Sequence, residues 1–133
     1  GLALSLLKFS APCGSLSSAF FLFCCVLLLH FLLHFRVPAR VAGFFFRQYC
    51  QTAYGLMIVT MMVDLDHLLA NPIYDAARCS IGFHPLHQPS LMVGYFALCF
   101  FTKTRFIGIG LIIHMILDSI DCHITNGVWI YAA

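Results

Sequence analysis

Histidine and aspartate are the residues able to do chemistry in this chain, and they are bunched rather than scattered. Asp64-Leu65-Asp66-His67 brings two carboxylates and an imidazole into four residues, and His84-Pro85-Leu86-His87 sets two imidazoles across a turn. His114 and Asp118 stand four apart, so on a helix they share a face, and Asp121 extends that face by another turn. His30 and His34 repeat the spacing. Imidazole and carboxylate together suit a divalent metal, zinc first and manganese or iron by the same donors. The expected ligands are Asp64, His67, His84, His87, His114 and Asp118, with His34 as a further one. Asp66 and Asp121 are expected to orient a ligand histidine or to act as general base, because carboxylates behind a ligand fix the imidazole tautomer. Arg78 is the candidate holder of a substrate phosphate. The remaining polar residues have blander readings: His30 as a helix–helix hydrogen-bond partner, His123 as an interfacial residue, Asp75 as a turn cap with Arg78. Tyr95 and the phenylalanines read as lipid-facing or packing surface.

The elements that must position these groups are membrane helices. Hydrophobic residues make up 62% of the 133 residues and charged ones 9%, against about 25% charged in soluble domains. A water-soluble fold this poor in charge could not cover its surface. Apolar blocks run over residues 16–46, 52–69, 89–101 and 106–120, which predicts an all-α bundle of about four transmembrane helices. Asn71-Pro72 should end the second helix, Pro89 suits the first turn of the third, and Pro38 should kink the first. The net charge of +2 is spread over several loops and makes no stripe for nucleic acid. The partners expected are membrane lipids, with the oligomeric state open.

Basic residues orient the bundle. Arg47 lies between the first two blocks, and Lys103 and Arg105 lie between the last two, so both loops should face the cytoplasm. Residues 71–88 then lie on the opposite side. Asp118 follows Arg105 by thirteen residues and His34 precedes Arg47 by thirteen, so each should stand roughly 20 Å from the basic end at a rise of about 1.5 Å per residue. Asp64 and His67 close the second helix at the same depth. Carboxylates there cost about 2.5–3.5 kcal/mol each unless compensated, and a divalent ion would compensate them. If the first helix crosses over 26–46, Arg36 and Arg40 fall inside the membrane, where they would reach Asp66, Asp121 or a substrate phosphate. A crossing over 16–35 would instead remove His30 and His34 from the site.

The seven cysteines include no C-x-x-C pair and are expected as free, inert thiols, a Cys79–Cys122 disulfide being the alternative. Residues 1–15, with Lys8 ahead of an apolar run, could form a signal sequence, but residues 16–35 offer no small-x-small cleavage site, which favours a retained helix.

Three stretches carry a family resemblance: Asp64-Leu-Asp-His67, Arg78-Cys-Ser-Ile-Gly-Phe-His-Pro-Leu-His87 and Gly108-Ile-Gly-Leu-Ile-Ile-His-Met-Ile-Leu-Asp118. Across residues 28–123 the chain resembles a small uncharacterised bacterial integral-membrane family. That family is similar to inner-membrane metal-dependent hydrolases, which show D-L-D-H, a paired-histidine loop and H-x-x-x-D. The chain departs from the wider pattern in having only Pro85 and Leu86 between the paired histidines, so the number of ions stays open. The resemblance implies a core over 26–123, an apolar extension over 1–25 that is a signal or an extra helical segment, and a tail over 124–133. It also implies a membrane-embedded metal-dependent hydrolase of a bacterial inner membrane. The basic loops put its site on the non-cytoplasmic face, where headgroups lie, so a lipid or other phosphoester is the expected substrate. The alternatives are a haem-binding or electron-transfer bundle and a non-enzymatic membrane subunit.

Overall fold

A computed structural model describes residues 16–73, 75 and 78–131. The stretch 1–15, read above as a signal sequence or extension, lies outside the described residues. The described residues form helices and no strand: α1 Leu16–Phe45, α2 Cys50–Val59, α3 Pro89–Leu98 and α4 Arg105–Asn126. A ten-residue 3₁₀ helix, Thr60–Leu69, continues α2, and short 3₁₀ turns cover Arg47–Tyr49 and Pro85–His87. Three stretches, Cys24–Phe45, Arg47–Leu69 and Arg105–Asn126, are long and apolar enough to cross a membrane; α3 is shorter.

What is buried and what is exposed are inverted relative to a water-soluble fold. Phe21, Phe44, Val93 and Phe100 are each at least 70% exposed, whereas the largest fully buried side chains are Met57, Ile81, Met115, His34, His84 and His87. Half of that inner set is histidine. Such a distribution is stable where the surroundings are hydrocarbon and polar side chains must find partners inside the bundle.

Register follows from a few contacts. At one end Phe46 meets Phe106, ring centroids 5.0 Å apart, and at the other His34 meets Asp118, so α1 runs antiparallel to α4. Gly110 of α4 lies against Met57 and Thr60, and His114 reaches Asp64, so α2 and its continuation run parallel to α4. Two glycines permit this approach. A Cβ on Gly110 would stand 2.8 Å from the Met57 Cα, and one on Gly108 would stand 2.7 Å from the Cys99 backbone nitrogen. Small residues at helix contacts are how membrane helices come close.

The ends are chemically distinct. Arg47, Lys103 and Arg105 lie at the end of the α1–α2 and α3–α4 turns, where Arg105 covers the rings of Phe46 and Phe106. The aspartates lie towards the other end. There the 70–88 loop is pinned to α4 by a Cys79–Cys122 disulfide, which corrects the expectation of free thiols at those two positions; Cys24, Cys25, Cys50 and Cys99 are free. The sequence offers this pairing only as the alternative, because forty-three residues separate the two cysteines. Pro38 lies within α1, which continues through it to Phe45. The last helix outruns its apolar block, reaching Asn126 before Gly127 turns the chain. The tail then folds back: the Tyr131 N–H donates to the Ile81 carbonyl, 2.7 Å, and Ser119 Oγ donates to the Trp129 carbonyl, 2.8 Å.

Candidate metal centre

The second helix changes its winding just where its polar residues begin. From Thr60 onward it is a 3₁₀ helix, in which side chains three apart eclipse one another. Thr60, Val63 and Asp66 therefore make one buried row, and Asp64 and His67 make the row beside it. Ten residues is long for this form, whose runs seldom exceed about four. The winding keeps both carboxylates on the inner side of the segment. An α-helix would have turned Asp66 away from Asp64.

Asp64, His87, His114 and Asp118 converge. Nε2 of His114 lies 3.0 Å from Asp64 Oδ1 and 3.4 Å from Asp118 Oδ2. Nε2 of His87 lies 3.5 Å from Asp64 Oδ1, 3.1 Å from Asp118 Oδ2 and 3.4 Å from His114 Nε2. Donors placed tetrahedrally about 2.0–2.1 Å from a zinc ion stand roughly 3.3–3.4 Å from one another. Five of the six edges among these four atoms thus fall close to the spacing such an ion requires, and these four residues could hold one.

Burial adds to this. His87 and His114 are 0% and 2% exposed and Asp118 is 4% exposed, while the Asp64 side chain keeps 31% and forms the outward side. Asp118 Oδ2 has no hydrogen bond despite its two close ring nitrogens. A buried carboxylate oxygen left in that condition costs several kcal/mol by desolvation, and a shared cation removes the cost.

Asp66 stands behind this set. Its Oδ2 accepts from the Leu86 backbone N–H at 2.8 Å and lies 3.1 Å from His87 Nδ1. Its Oδ1 lies 3.1 Å from His67 Nδ1. With Nδ1–H of His87 donating to Asp66, Nε2 is the ring nitrogen that points into the cluster, the carboxylate–imidazole–metal relation once a metal has displaced its proton. The turn that carries His87 is held by its own backbone, Gly82 N–H to His87 carbonyl at 2.9 Å, and by the Tyr95 hydroxyl, which donates to the Leu86 carbonyl at 2.9 Å. Tyr95, expected as lipid or packing surface, is therefore a tether between α3 and the histidine turn. Burial alone would lower the His87 pKa, but the carboxylates of Asp118, Asp64 and Asp66 outweigh it and push it up to about 10.

The other sequence-predicted residues fall around this set. His67 has both ring nitrogens engaged, Nδ1 by Asp66 and Nε2 by Ser80 Oγ at 3.1 Å. His84 is buried but stacks on His67, centroids 3.8 Å apart, outside the donor groups formed by the described residues. Its pKa is lowered to about 4 by burial and then by the neighbouring His67. His34 reaches Asp118 Oδ1 at 3.2 Å, and His30 lies 3.7 Å from the same oxygen and 3.8 Å from Asp121 Oδ2. Arg78 donates through Nη2 to the Pro72 and Ile73 carbonyls and lies over the Phe83 ring; these contacts hold the loop. Its backbone N–H also donates to the Asp75 carbonyl. Arg36 and Arg40 are exposed on α1, and His123 stacks on Trp129 at 4.0 Å.

Sequence reasoning missed Ser80, Tyr95 and the glycines at 108 and 110. The first two act through single hydrogen bonds across distant segments, which leave no periodic mark. The glycines did leave one, a G-x-G on an otherwise bulky apolar helix.

No curated protein and no solved structure matches the chain. One family model does, over residues 24–125, from within α1 to the last turn of α4, and it includes every donor described above. The chain therefore belongs to the Family of unknown function (DUF6122).

Proposed function

We propose that this chain is a membrane-embedded, metal-dependent hydrolase. The observation that carries the reading is the Asp64–His87–His114–Asp118 set, whose edges of 3.0–3.5 Å match the spacing around a single divalent ion. A bound ion would polarise the scissile group and lower the pKa of a coordinated water towards about 7. Zinc suits two imidazoles and two carboxylates; manganese and iron accept the same atoms. Asp64 is the most exposed of the four, so water or a substrate oxygen reaches the ion on its side. Asp66 positions His87 and is fully engaged in doing so. Asp121, with a side chain 42% exposed and 3.8 Å from His30 Nδ1, is the more accessible carboxylate, placed to orient that histidine or to transfer a proton. The resemblance to inner-membrane metal-dependent hydrolases supports the same assignment.

The site's end of the bundle is assigned to the non-cytoplasmic face. Arg47, Lys103 and Arg105 mark the opposite end as cytoplasmic by the positive-inside rule. The Cys79–Cys122 disulfide favours an oxidising compartment for the end that carries it. A centre at that depth meets headgroups, so a lipid phosphoester is the substrate class.

A haem bundle fits less well. The facing Nε2 atoms of His87 and His114 are 3.4 Å apart with two carboxylates against them, which leaves no plane for a macrocycle between two axial ligands.

The test is elemental analysis of detergent-purified protein, followed by hydrolysis of a chromogenic phosphodiester and of phosphatidylglycerol vesicles before and after chelation. Turnover that follows the metal content and vanishes in His114→Ala is expected. Bound metal without turnover of either substrate would leave a metal protein that is not this hydrolase.

A further inference from the structure

Asp118 has a second oxygen, and a second group of donors faces it. Oδ2 points to His87 and His114 as described; Oδ1 lies 3.2 Å from His34 Nε2 and 3.7 Å from His30 Nε2. His34, 1% exposed, has its Nδ1 2.9 Å from the His30 carbonyl. A carbonyl only accepts, so Nδ1 carries a proton, and a ring that binds a metal here does so through the Nε2 lone pair. That lone pair faces a carboxylate oxygen, and His34 Nε2 has no hydrogen-bond partner. Two lone pairs at 3.2 Å repel unless a proton or a metal ion lies between them. His30 shows the relation already described for His87: one ring nitrogen faces Asp118, and the other lies 3.8 Å from the Asp121 carboxylate.

We infer that the centre holds two divalent ions bridged by Asp118, the second bound by His30, His34 and Asp118 Oδ1, with Asp121 positioning His30. The inference rests on the metal-dependent reading above and extends it. The first ion has four protein donors and takes water only as a further ligand, on the side of Asp64. The second has three, the arrangement that leaves a position for water in catalytic sites. The His30 side chain is 23% exposed, so water reaches the open position of this ion. The second ion thus adds an open position for the hydrolytic water beside the first, and Asp118 joins the two. Paired ions in such centres stand roughly 3.5–4 Å apart and clamp the attacking and leaving oxygens together.

Metal stoichiometry and magnetic coupling separate this from a single-ion centre. The full chain in detergent micelles is stripped with chelator and titrated with manganese(II), with bound metal measured by elemental analysis and spin coupling by EPR. Two equivalents and a coupled-pair spectrum are expected in the parent. His34→Ala should retain one equivalent and give an uncoupled six-line spectrum. His30→Gln should do the same, and it decides the matter if His34→Ala loses its helical circular dichroism. Asp121→Asn should weaken only the second equivalent, by about 10–100-fold. One equivalent in the parent, unchanged in His34→Ala and His30→Gln, would overturn the two-ion centre and leave the single-ion hydrolase standing. No bound metal at all would sink both.

Discussion

Asp66 and His87 meet on the side of the imidazole that faces away from the donor cluster, Oδ2 to Nδ1 at 3.1 Å. The same oxygen accepts the Leu86 backbone N–H at 2.8 Å, so one buried carboxylate sets both the tautomer of the histidine and the path of the turn that carries it. Asp66→Asn keeps the shape and loses the charge. Metal affinity should fall by about 10–100-fold while the protein stays folded and inserted, as read by competition with a fluorescent chelator. Unchanged affinity would mean that Asp66 is a structural partner only.

His114 and Asp118 supply donors directly, and their loss should be more severe. His114→Ala and Asp118→Ala should each purify as inserted, helical protein with metal content reduced to well under one half of the parent's. Parental metal content in both variants would remove the site.

Proton competition gives a pH test. The pKa of His87 is pushed up to about 10 by the surrounding carboxylates, so at neutral pH a metal entering the site must displace its proton. Affinity should therefore rise with pH, by about tenfold per unit between pH 6 and 9 for this one proton, and fall as pH drops. Calorimetric titration in buffers of different ionisation enthalpy should find at least one proton released per ion. A pH-independent affinity would contradict the placement of His87.

The close contact of α2 with α4 is a packing prediction. A methyl on Gly110 would meet the Met57 backbone at 2.8 Å, whereas one on Gly94 would meet nothing within 4 Å. Gly110→Ala should cost about 1–3 kcal/mol by overpacking and weaken the metal as Asp64 moves off His114. Gly94→Ala should leave both properties near the parent's. Thermal melts of the two variants, with and without metal, provide the comparison.

Sidedness can be read by labelling. Leu86 and Lys103 are exposed at opposite ends of the bundle. In sealed cells a membrane-impermeant maleimide should modify Leu86→Cys and leave Lys103→Cys at the level of the parent. The reverse pattern would place the site in the cytoplasm.

How much of this was legible beforehand divides along physical lines. Hydrophobic runs and scarce charge were enough for an all-helical chain with membrane-length segments, because lipid acts on each segment separately and every residue reports its own preference. The convergence of Asp64, His87, His114 and Asp118 was also approachable, since basic loops set a common depth and helical spacing sets a common face. Other features depended on contacts between distant segments. The 3₁₀ winding that keeps Asp66 beside Asp64, the stacking that draws His84 onto His67, and the Cys79–Cys122 bridge are decided by what packs against each group. So is the division of Asp118 between two sets of imidazoles. A sequence states which donors exist and roughly how deep they lie; which oxygen faces which nitrogen is settled only when four helices exclude one another from the same space.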